Sequence, residues 1–323
     1  MKKKIDVVVP VYNEEEVLNE LITRLLGIAA NEKNYDFDFI LVENGSSDGS
    51  CRIIKEARSR DSRIKMVRLS RNFGCDGAIT AGIHYAKGDA AVVMNADLQD
   101  PPELIPEFLR RYEQGFDIVY GIIKKRHGES FLRKACSSLF YVIINALTKG
   151  LFPRNVSDFR LISRKVIDTV NALKETNRFM RGIVAWTGFT QAGVEFERPS
   201  RFAGKSKSGF GAIFRVAMNG IFSFSHFPLR LTTILGIFIS VVSFLLLVSF
   251  VVSFFLFGRQ VPGHTSTITL MLFLFGILFF ILGIIGEYIG RIYDEVKSRP
   301  NFIVTELAGV DGAERQDAAM RII

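Results

Sequence analysis

Two long stretches without a charged residue constrain this chain more than any other feature of its sequence. Residues 231–257 contain no Asp, Glu, Lys or Arg, and neither do residues 264–286. Each stretch exceeds the roughly 20 residues with which an α-helix crosses about 30 Å of hydrocarbon. A buried core helix is the alternative for one such stretch alone, but two adjacent stretches favour a membrane-spanning pair. We therefore expect an integral membrane protein with transmembrane helices at 229–257 and 265–290.

The basic residues around this pair predict its orientation in the bilayer. Five of them flank the outer ends of the two stretches: Arg215, Arg230, Arg291, Lys297 and Arg299. The connecting residues 258–264 contain only Arg259. Because positive charge accumulates on the cytoplasmic side, we expect cytoplasmic termini and an external loop at 258–264. The basic start of the chain lacks a following long apolar segment, so we expect no signal peptide.

Charge and cysteine usage exclude several classes of protein. The formal net charge of +8 is compatible with nucleic acid or an anionic membrane surface. No zinc finger, helix-turn-helix or aromatic RNA-binding signature accompanies it, so we expect no nucleic-acid partner. The three cysteines, Cys51, Cys75 and Cys136, form no Cys-x-x-Cys pair. That pattern indicates neither a disulfide framework nor a zinc site, and it fits a reducing cytosol.

The first 125 or so residues alternate between strand and helix patterns. Strand-like runs lie at 5–11, 37–42, 64–69, 90–94 and 118–120, with helical spacing at 14–30, 48–59, 77–86 and 102–114. Strands separated by single helices indicate right-handed βαβ units and a mainly parallel sheet with helices on both faces. The fold class is therefore α/β, in a cytosolic domain that we place at 1–209. Ligands of such sheets bind at the carboxyl ends of the strands.

Two amphipathic segments and a C-terminal tail complete the predicted organisation. Residues 130–149 and 210–227 carry apolar stripes at helical spacing. Either segment can be an ordinary helix packed on the sheet. The second is rich in Phe and leads into the first apolar stretch, so we interpret 210–228 as an interfacial, juxtamembrane helix. The tail, 291–323, is expected to be cytosolic, with a short apolar piece at 302–304 and a frayed end from 311.

The first two polar clusters follow the first two predicted strands. Residues 9–14 read Val-Pro-Val-Tyr-Asn-Glu, where Pro10 stiffens the strand exit, Tyr12 offers a ring for stacking and Glu14 opens a helix. Residues 42–50 place Glu43 before a Gly/Ser turn that enters a helix N-terminus. Such a turn can hold a base or ribose. A simple capped turn is the alternative, but it needs only Asp48 and the glycines.

The third cluster, residues 94–103, has the character of a metal site. Asp97 comes directly after a buried strand, and Gln99 or Asp100 can supply a second oxygen. A diphosphate leaving group carries several negative charges, and a divalent cation is the usual way to neutralise them. The sequence therefore predicts that Asp97 holds Mg²⁺ or Mn²⁺ against a diphosphate.

The fourth cluster, residues 198–209, contains four cations among small residues. A mobile loop that closes over phosphates is the reading we prefer. A basic juxtamembrane segment attracted to anionic lipid remains the alternative.

These clusters, in this order and spacing, resemble glycosyltransferase family 2, and within it the polyprenyl-phosphate glycosyltransferases. The resemblance covers residues 5 to about 300 and is carried most specifically by residues 97–103, by Gly128-Glu129-Ser130 with Arg133, and by residues 157–161. It implies a fold of the nucleotide-diphospho-sugar transferase (GT-A) type.

The same resemblance assigns roles to individual residues. The nucleotide-sugar would contact Pro10, Tyr12, Glu14 and Glu43, with Asp76 nearby. Asp97 and Gln99 would hold the metal and the diphosphate, and Asp97 counts with Asp158 as catalytic. Asp158 would lie near the acceptor as the general-base candidate. The alternatives for this residue are orientation of the acceptor, pairing with Arg160 or a neighbouring arginine, stabilisation of positive charge on the sugar ring, and the capping of a turn. The phosphates would be contacted by Arg126, Arg133, Arg201 and Lys205.

Two positions depart from the pattern of many relatives. Glu43-Asn44 stands where Asp-Asp is common, and Asn95-Ala96-Asp97 stands where Asp-Ala-Asp is common. The second departure leaves the metal with fewer carboxylates, so weaker metal binding is expected.

The resemblance implies an enzyme that inverts the sugar as it moves a hexose from a nucleotide-sugar, UDP-glucose first, to a polyprenyl phosphate at the bilayer. A separate flippase would then carry the lipid product across, and a homo-oligomer is left open. A processive polysaccharide synthase is a second interpretation, although the only tryptophan, Trp186, does not lie in a Gln-x-x-Arg-Trp motif. A non-catalytic scaffold that binds the lipid carrier is a third, but it would not need Asp97 and Asp158 in these contexts.

Overall fold

The computed structural model describes residues 2–126, 156–176, 178–199, 227–257 and 263–310. They belong to two units, one of residues 1–220 with 299–323 and one of residues 221–298. Several expectations therefore lie outside the described residues. These are the amphipathic segment at 130–149, most of the one at 210–227, most of the external loop, the end of the tail from 311, and the site candidates Arg133, Arg201 and Lys205.

The first unit is built on an eight-stranded sheet. Its strands are β1 (Lys3–Val11), β2 (Tyr35–Glu43), β3 (Ile64–Leu69), β4 (Ala90–Val93), β5 (Ile118–Arg126), β6 (Val156–Ser163), β7 (Gln191–Arg198) and β8 (Val304–Ala308). Its helices are α1 (Glu15–Asn31), α2 (Ser50–Arg60), α3 (Gly74–Tyr85), α4 (Ile105–Glu113, after a 3-10 turn at Pro102–Leu104), α5 (Arg164–Ala172) and α6 (Met180–Trp186). The strand order is β7-β5-β6-β4-β1-β2-β3-β8.

The centre of the sheet is parallel, as the alternating pattern predicted. β1 lies between β2 and β4 and pairs in parallel with both, and β2 pairs in parallel with β3. Away from this centre the sheet is mixed, because β6 runs antiparallel to β4 and β5 and β8 runs antiparallel to β3. The predicted α/β fold with a GT-A-like sheet is confirmed, and the antiparallel strands are what the sequence did not reveal.

Helices cover both faces of this sheet. Successive side chains of a strand point to opposite faces. In β1 the set Ile5, Val7, Val9 and Val11 is apolar and buried, and Val8 is a buried apolar residue of the other set. Val7 and Val9 share a core with Leu18 and Leu21 of α1 and with Phe108 of α4. On the other face, a Cβ added at Gly82 of α3 would collide with the side chain of Val8. The absence of a side chain at this glycine lets α3 pack directly on the sheet.

The second unit consists of two long apolar helices. α7 spans Phe227–Phe257 and α8 spans His264–Lys297, and each contains a segment of mean hydropathy 2.1. At 1.5 Å per residue both are longer than the roughly 30 Å of a bilayer core. The last turns of α8 become polar, since Arg291 pairs with Glu287 at 2.9 Å and Lys297 lies over the ring of Tyr293. The length and apolar composition of α7 and α8 indicate membrane association.

The segment that follows α8 belongs to the sheet. β8 pairs with β3, and just before it the backbone N–H of Ser70 donates to the carbonyl of Ile303 at 2.9 Å. The ring of Phe302 lies 5.8 Å from that of His84 on α3. The sequence pattern predicts these residues only as part of a tail, because five residues with one buried side chain form a weak strand pattern.

Candidate active site

Strand register brings the polar clusters to one edge of the sheet. Val11 at the end of β1 pairs with Glu43 at the end of β2, and Val8 pairs with Val93 at the end of β4. Val93 in turn pairs with Arg160 of antiparallel β6. The start of β6, with Asp158, therefore lies beside the residues that follow β4, including Asp97.

The loops after β1 and β2 are joined by hydrogen bonds. The backbone N–H of Asn13, a residue with a φ of 55°, donates to Ser46 Oγ at 3.1 Å. The N–H of Glu14 donates to Ser50 Oγ at 2.9 Å. The two loops therefore form one unit, and Tyr12 stands at its surface with 37% of the residue exposed. Partial exposure of the ring is what the predicted stacking on a base requires.

Glu43 is fully buried beneath this unit. One of its carboxylate oxygens accepts from the N–H of Ser46, and the other accepts from Arg68 Nε at 3.1 Å. Glu43 thus helps to fold the Gly/Ser turn, a role that sequence analysis had left to Asp48 and the glycines. Its predicted contact with a nucleotide stays a prediction.

Asn44 fastens the loop after β3 to the same edge. Its amide nitrogen donates to Asn72 Oδ1 at 3.2 Å and to the carbonyl of Gly74 at 3.0 Å, and its amide oxygen accepts from the N–H of Phe73 at 2.9 Å. An ionised aspartate is only an acceptor, so it cannot make the first two bonds. This geometry gives the Asn at position 44 a structural reason.

Asp97 lies in a tight turn at the end of β4. Leu98 adopts a φ of 54°, and the N–H of Gln99 donates to Asp97 Oδ1 at 3.2 Å. Asp97 and Gln99 are both partly exposed at the sheet edge. The turn therefore orients the carboxylate with a backbone hydrogen bond while keeping it accessible.

Asp100 is committed to the interior. It is fully buried and accepts from Asn95 Nδ2 at 3.1 Å and from Ser157 Oγ at 2.8 Å, with Arg198 Nη2 at 3.7 Å. Burial raises the pKa of its carboxyl. Because Asp100 is buried and already hydrogen-bonded, Gln99 is the remaining candidate for a second metal ligand. The Asn at position 95 also gains a reason, because a second carboxylate there would repel Asp100.

The residues at this edge fit a cation bound mainly through the substrate. In the described part of the chain, no group of three His, Cys, Asp or Glu residues could hold a metal by itself. Mg²⁺ is commonly bound by one or two carboxylates together with substrate phosphates. Asp97 is partly exposed and oriented by a hydrogen bond, so it fits that mode of binding. The described residues do not form a site in which protein ligands alone would surround the cation.

Asp158 is held by arginines. Arg181 donates from Nε to Asp158 Oδ1 at 2.9 Å and from Nη2 to Oδ2 at 2.8 Å, and Arg160 Nη2 lies 3.6 Å from Oδ1. Burial opposes ionisation of the carboxyl, but the charge and hydrogen bonds of Arg181 outweigh it and lower the pKa of Asp158 to about 2. The pairing of Asp158 with an arginine was among the predicted roles, whereas Arg181 itself was not identified.

Asp76 lies at the start of α3, next to this pair. Its Oδ1 accepts the backbone N–H of Met180, the first residue of α6, at 3.1 Å. Burial and the nearby charge of Asp158 raise the pKa of Asp76 to about 6. Its visible role is to fix the beginning of α6, and a contact with the nucleotide-sugar stays a prediction.

Comparison with known proteins identifies the family. Residues 6–170 match the family described as Glycosyl transferase family 2, and residues 227–292 match the GtrB C-terminal hairpin. YkcC of Bacillus subtilis, an uncharacterized glycosyltransferase, is 43% identical over 94% of this chain and 94% of its own length. This chain belongs to glycosyl transferase family 2. It is therefore a glycosyltransferase, and the reading as a non-catalytic scaffold is set aside.

One further match is a relative that is similar over most of the chain, and another is a solved structure that is similar only at low sequence identity. The SfII prophage-derived bactoprenol glucosyl transferase of Shigella flexneri is 37% identical over 93% of this glycosyltransferase and 97% of its own length. Among solved structures, glucosyl-3-phosphoglycerate synthase of Mycobacterium tuberculosis, in complex with Mn²⁺, UDP-glucose and phosphoglyceric acid, is 18% identical with a TM-score of 0.46. It covers 67% of this chain and 76% of that one. A likeness of that degree bears on neither the substrate nor the metal here.

For the remaining described site candidates, Pro10 and Arg126, the structure gives only their place in a strand. Pro10 is partly buried near the end of β1, and Arg126 is the last residue of β5. Two of the residues that contact the site carboxylates were not predicted from the sequence: Arg181, which touches Asp158, and Arg68, which touches Glu43. No local pattern marks either arginine, because their partners lie 23 and 25 positions away in the sequence.

Replacing Asp76 with asparagine should stabilise the glycosyltransferase at neutral pH. An unfolded Asp has a pKa near 3.9, so between about pH 4 and 6 the folded state binds more protons and loses stability as pH rises. Asparagine removes this cost, and its Oδ1 can still accept from Met180. A shift of about two units corresponds to roughly 3 kcal/mol, and partial exposure reduces the gain to about 1–2 kcal/mol.

Thermal unfolding of the two proteins in detergent at pH 5 and pH 7.5 measures this effect. The melting temperature of Asp76→Asn should exceed that of the wild type clearly at pH 7.5 and much less at pH 5. A difference independent of pH would contradict the account. A raised KM for the sugar donor would instead favour the predicted nucleotide contact.

Proposed function

We propose that this glycosyltransferase moves a hexose from a nucleotide-sugar, with UDP-glucose as the first donor to test, to a polyprenyl phosphate and inverts the sugar as it does so. One observation carries the proposal. Relatives named bactoprenol glucosyl transferase are 36–37% identical over 93% of this chain, a span that includes the hairpin as well as the sheet. The lipid acceptor accounts for why α7 and α8 accompany a nucleotide-sugar domain.

The reaction is a single displacement at the anomeric carbon. An oxygen of the acceptor phosphate forms a bond to this carbon while the bond to the donor diphosphate breaks, and the nucleotide diphosphate leaves on the opposite face. No proton need be removed from most acceptor molecules at pH 7, because a phosphate monoester has a second pKa of about 6. The demand on the protein is therefore positioning and charge stabilisation.

The candidate residues would divide this work between two sides of the site. On the donor side, the nucleotide would contact Pro10, Tyr12, Glu14 and Glu43, at the unit formed by the loops after β1 and β2. Asp97 and Gln99 would hold Mg²⁺ or Mn²⁺, which when bound would neutralise charge on the leaving diphosphate. Arg126, Arg133, Arg201 and Lys205 are the proposed phosphate contacts.

On the acceptor side, Asp158 would act as a fixed negative charge. A carboxylate with a pKa of about 2 is a weak base at pH 7, and its two oxygens already accept from Arg181. We infer that Asp158 orients the acceptor and stabilises positive charge that builds on the sugar ring. General-base removal of a proton has little to contribute here.

The proposed membrane arrangement is two-pass. α7 and α8 would cross the bilayer with residues 1–228 and the end of the chain in the cytoplasm, and with residues 258–264 outside. The lipid product would form on the cytosolic leaflet, so a separate flippase would have to move it. The excess of Lys and Arg at the outer ends of the pair supports this orientation.

A single cysteine at Gly263 tests the orientation. In a variant whose native cysteines are replaced by serine, Gly263→Cys should react with an impermeant thiol reagent from outside intact cells, because residue 263 would lie in the external loop. A matched variant with Ser298→Cys, just beyond α8, should label only after permeabilisation. The reverse pattern would contradict the proposed orientation.

A panel of nucleotide-sugars tests the proposed donor. Purified protein in detergent receives undecaprenyl phosphate and one donor at a time, and the lipid fraction is analysed by mass spectrometry. We expect UDP-glucose to give a lipid heavier by one hexose. Turnover with another donor only would replace the sugar assignment, while a growing polymer would favour the processive synthase.

A further inference from the structure

The short helix α6 contributes one side chain to the candidate site. Arg181, its second residue, places a planar guanidinium against the carboxylate of Asp158 with two hydrogen bonds of 2.9 and 2.8 Å. Such a fork fixes the plane of the carboxylate as well as its charge. Neither the sequence motifs nor the proposed function gives Arg181 a role.

The position of α6 is itself tightly determined. Asp76 of α3 accepts the N–H of Met180 at 3.1 Å, and Thr80 Oγ1 lies 3.4 Å from Met180 Sδ. Ile183 and Val184 are each only 2% exposed. Arg181 is therefore presented from a helix that cannot shift without breaking these contacts.

A second arginine, Arg160, also lies next to Asp158. Arg160 is buried, donates to the backbone carbonyls of Asp158 and Ser157, and lies 3.6 Å from Asp158 Oδ1. Asp158, Arg160 and Arg181 line one small cavity, whose other walls are apolar side chains of α3, β4, β6 and α6. In these surroundings Asp158 has little freedom to take up another orientation.

We propose that Arg181 is a positioning residue, which holds the Asp158 carboxylate in the orientation and charge state that the acceptor requires. The inference rests on the proposed function, because it takes Asp158 to face the acceptor. Arg181 does not touch the reacting atoms in this account. It acts through Asp158.

Loss of this fork should lower turnover more than binding. A displacement of about 1 Å in a reacting group can cost roughly 10²-fold in rate. Arg181→Met has nearly the same length but no charge and no donor, so we expect kcat to fall by about 10²-fold and KM for the donor to change little. Arg181→Lys restores the charge without the fork, so it should recover part of the loss.

The loss should also depend on pH. Within the residues that the structure describes, the charged or titratable groups around Asp158 are Arg160, Arg181, Arg198, Asp76, Cys75 and Asp100. Of these, Arg181 does most to keep the pKa of Asp158 low. Without Arg181 the pKa rises, so Asp158 becomes protonated at a higher pH than in the wild type. The ratio of wild-type to Arg181→Met activity should therefore increase as pH falls from 8 to 5.5.

A double-mutant cycle provides the decisive readout. If Arg181 acts through Asp158, then Arg181→Met should cost about 10²-fold in the wild-type background and at most about twofold in an Asp158→Asn background, because coupled residues are not additive. An arginine that only supports the fold would cost the same factor in both backgrounds. Arg110→Met, which removes an exposed arginine of α4 paired only with Glu107 in the described residues, is the matched control.

Nucleotide diphosphate release with undecaprenyl phosphate is measured for each variant, with the melting temperature as a check of folding. Non-additive losses, partial recovery in Arg181→Lys and a pH-dependent ratio are the expected results. If Arg181→Met fails to fold, the Arg181→Lys and Asp158→Asn pair carries the cycle. Additive losses, or wild-type kinetics in a folded Arg181→Met, would overturn the inference. A wild-type protein without lipid-dependent release would instead overturn the proposed function.

Discussion

Replacing Asp97 with alanine is expected to reduce kcat by about 10³-fold while leaving the melting temperature nearly unchanged. Asp97 is the accessible carboxylate of the turn after β4, where it would hold the cation against the donor diphosphate. Loss of one preorganised group that stabilises transition-state charge typically costs about 10²–10³-fold, and loss of a metal adds to that. Steady-state kinetics with saturating donor and acceptor measure the effect.

Asp100 provides the matched control, because it lies in the same loop but faces the interior. Asp100→Ala leaves Asn95, Ser157 and Arg198 without their shared partner. It should therefore lower the melting temperature, since an unsatisfied buried polar group costs about 1–3 kcal/mol. Asp97→Ala should not.

Chelation tests the same assignment from the side of the metal. EDTA should abolish turnover of the wild type, and added Mg²⁺ or Mn²⁺ should restore it. Paramagnetic Mn²⁺ should bind the wild type with donor diphosphate present and bind Asp97→Ala far more weakly. Full activity in EDTA would remove the metal from the mechanism.

Replacing Asp158 with asparagine is expected to lower kcat by roughly 10²-fold, by a similar factor at every pH between 6 and 9. The carboxyl has a pKa of about 2, so it is ionised throughout this range. Asparagine keeps the shape and one acceptor for Arg181, but it loses the negative charge. A loss of electrostatic and positioning effects is therefore constant with pH.

The pH dependence of the Asp158→Asn loss separates the possible roles of this residue. A general base would matter most where the acceptor phosphate still carries a proton, so the loss would shrink as pH rises past the second pKa of about 6. That result would contradict the assignment of Asp158 as a fixed charge. Near-wild-type turnover would leave Asp158 with only a structural role.

The parallel half of the fold was predictable because each of its elements carries its own signal. The apolar runs of β1 and β2 and the helical spacing of α1 are local patterns, and the predicted boundaries differ from the observed ones by only a few residues. β8 carries no such signal. β8 becomes a strand because it pairs with the edge of β3, and β3 lies some 240 residues before it in the sequence.

The same distinction applies to the site. Asp97 was predicted because it follows a buried strand, whereas Asp158 was predicted from the family resemblance of residues 157–161. The parallel pairing of β1 with β4 and the antiparallel pairing of β4 with β6 then bring the two residues to one edge of the sheet. Arg181 was missed because its significance lies in a contact with another element. Asn44 was seen as a departure from the family pattern, and only its contacts to the loop after β3 show that it donates hydrogen bonds an aspartate cannot.

The dependence of nucleotide diphosphate release on lipid phosphate tests the central claim most directly. Purified protein receives UDP-glucose with limiting undecaprenyl phosphate, and both the released UDP and the modified lipid are quantified. One UDP per lipid consumed is expected, with one hexose added, the single phosphate retained and the anomeric configuration opposite to that of the donor. Release of UDP that is indifferent to the lipid, or a product with retained configuration, would contradict the account.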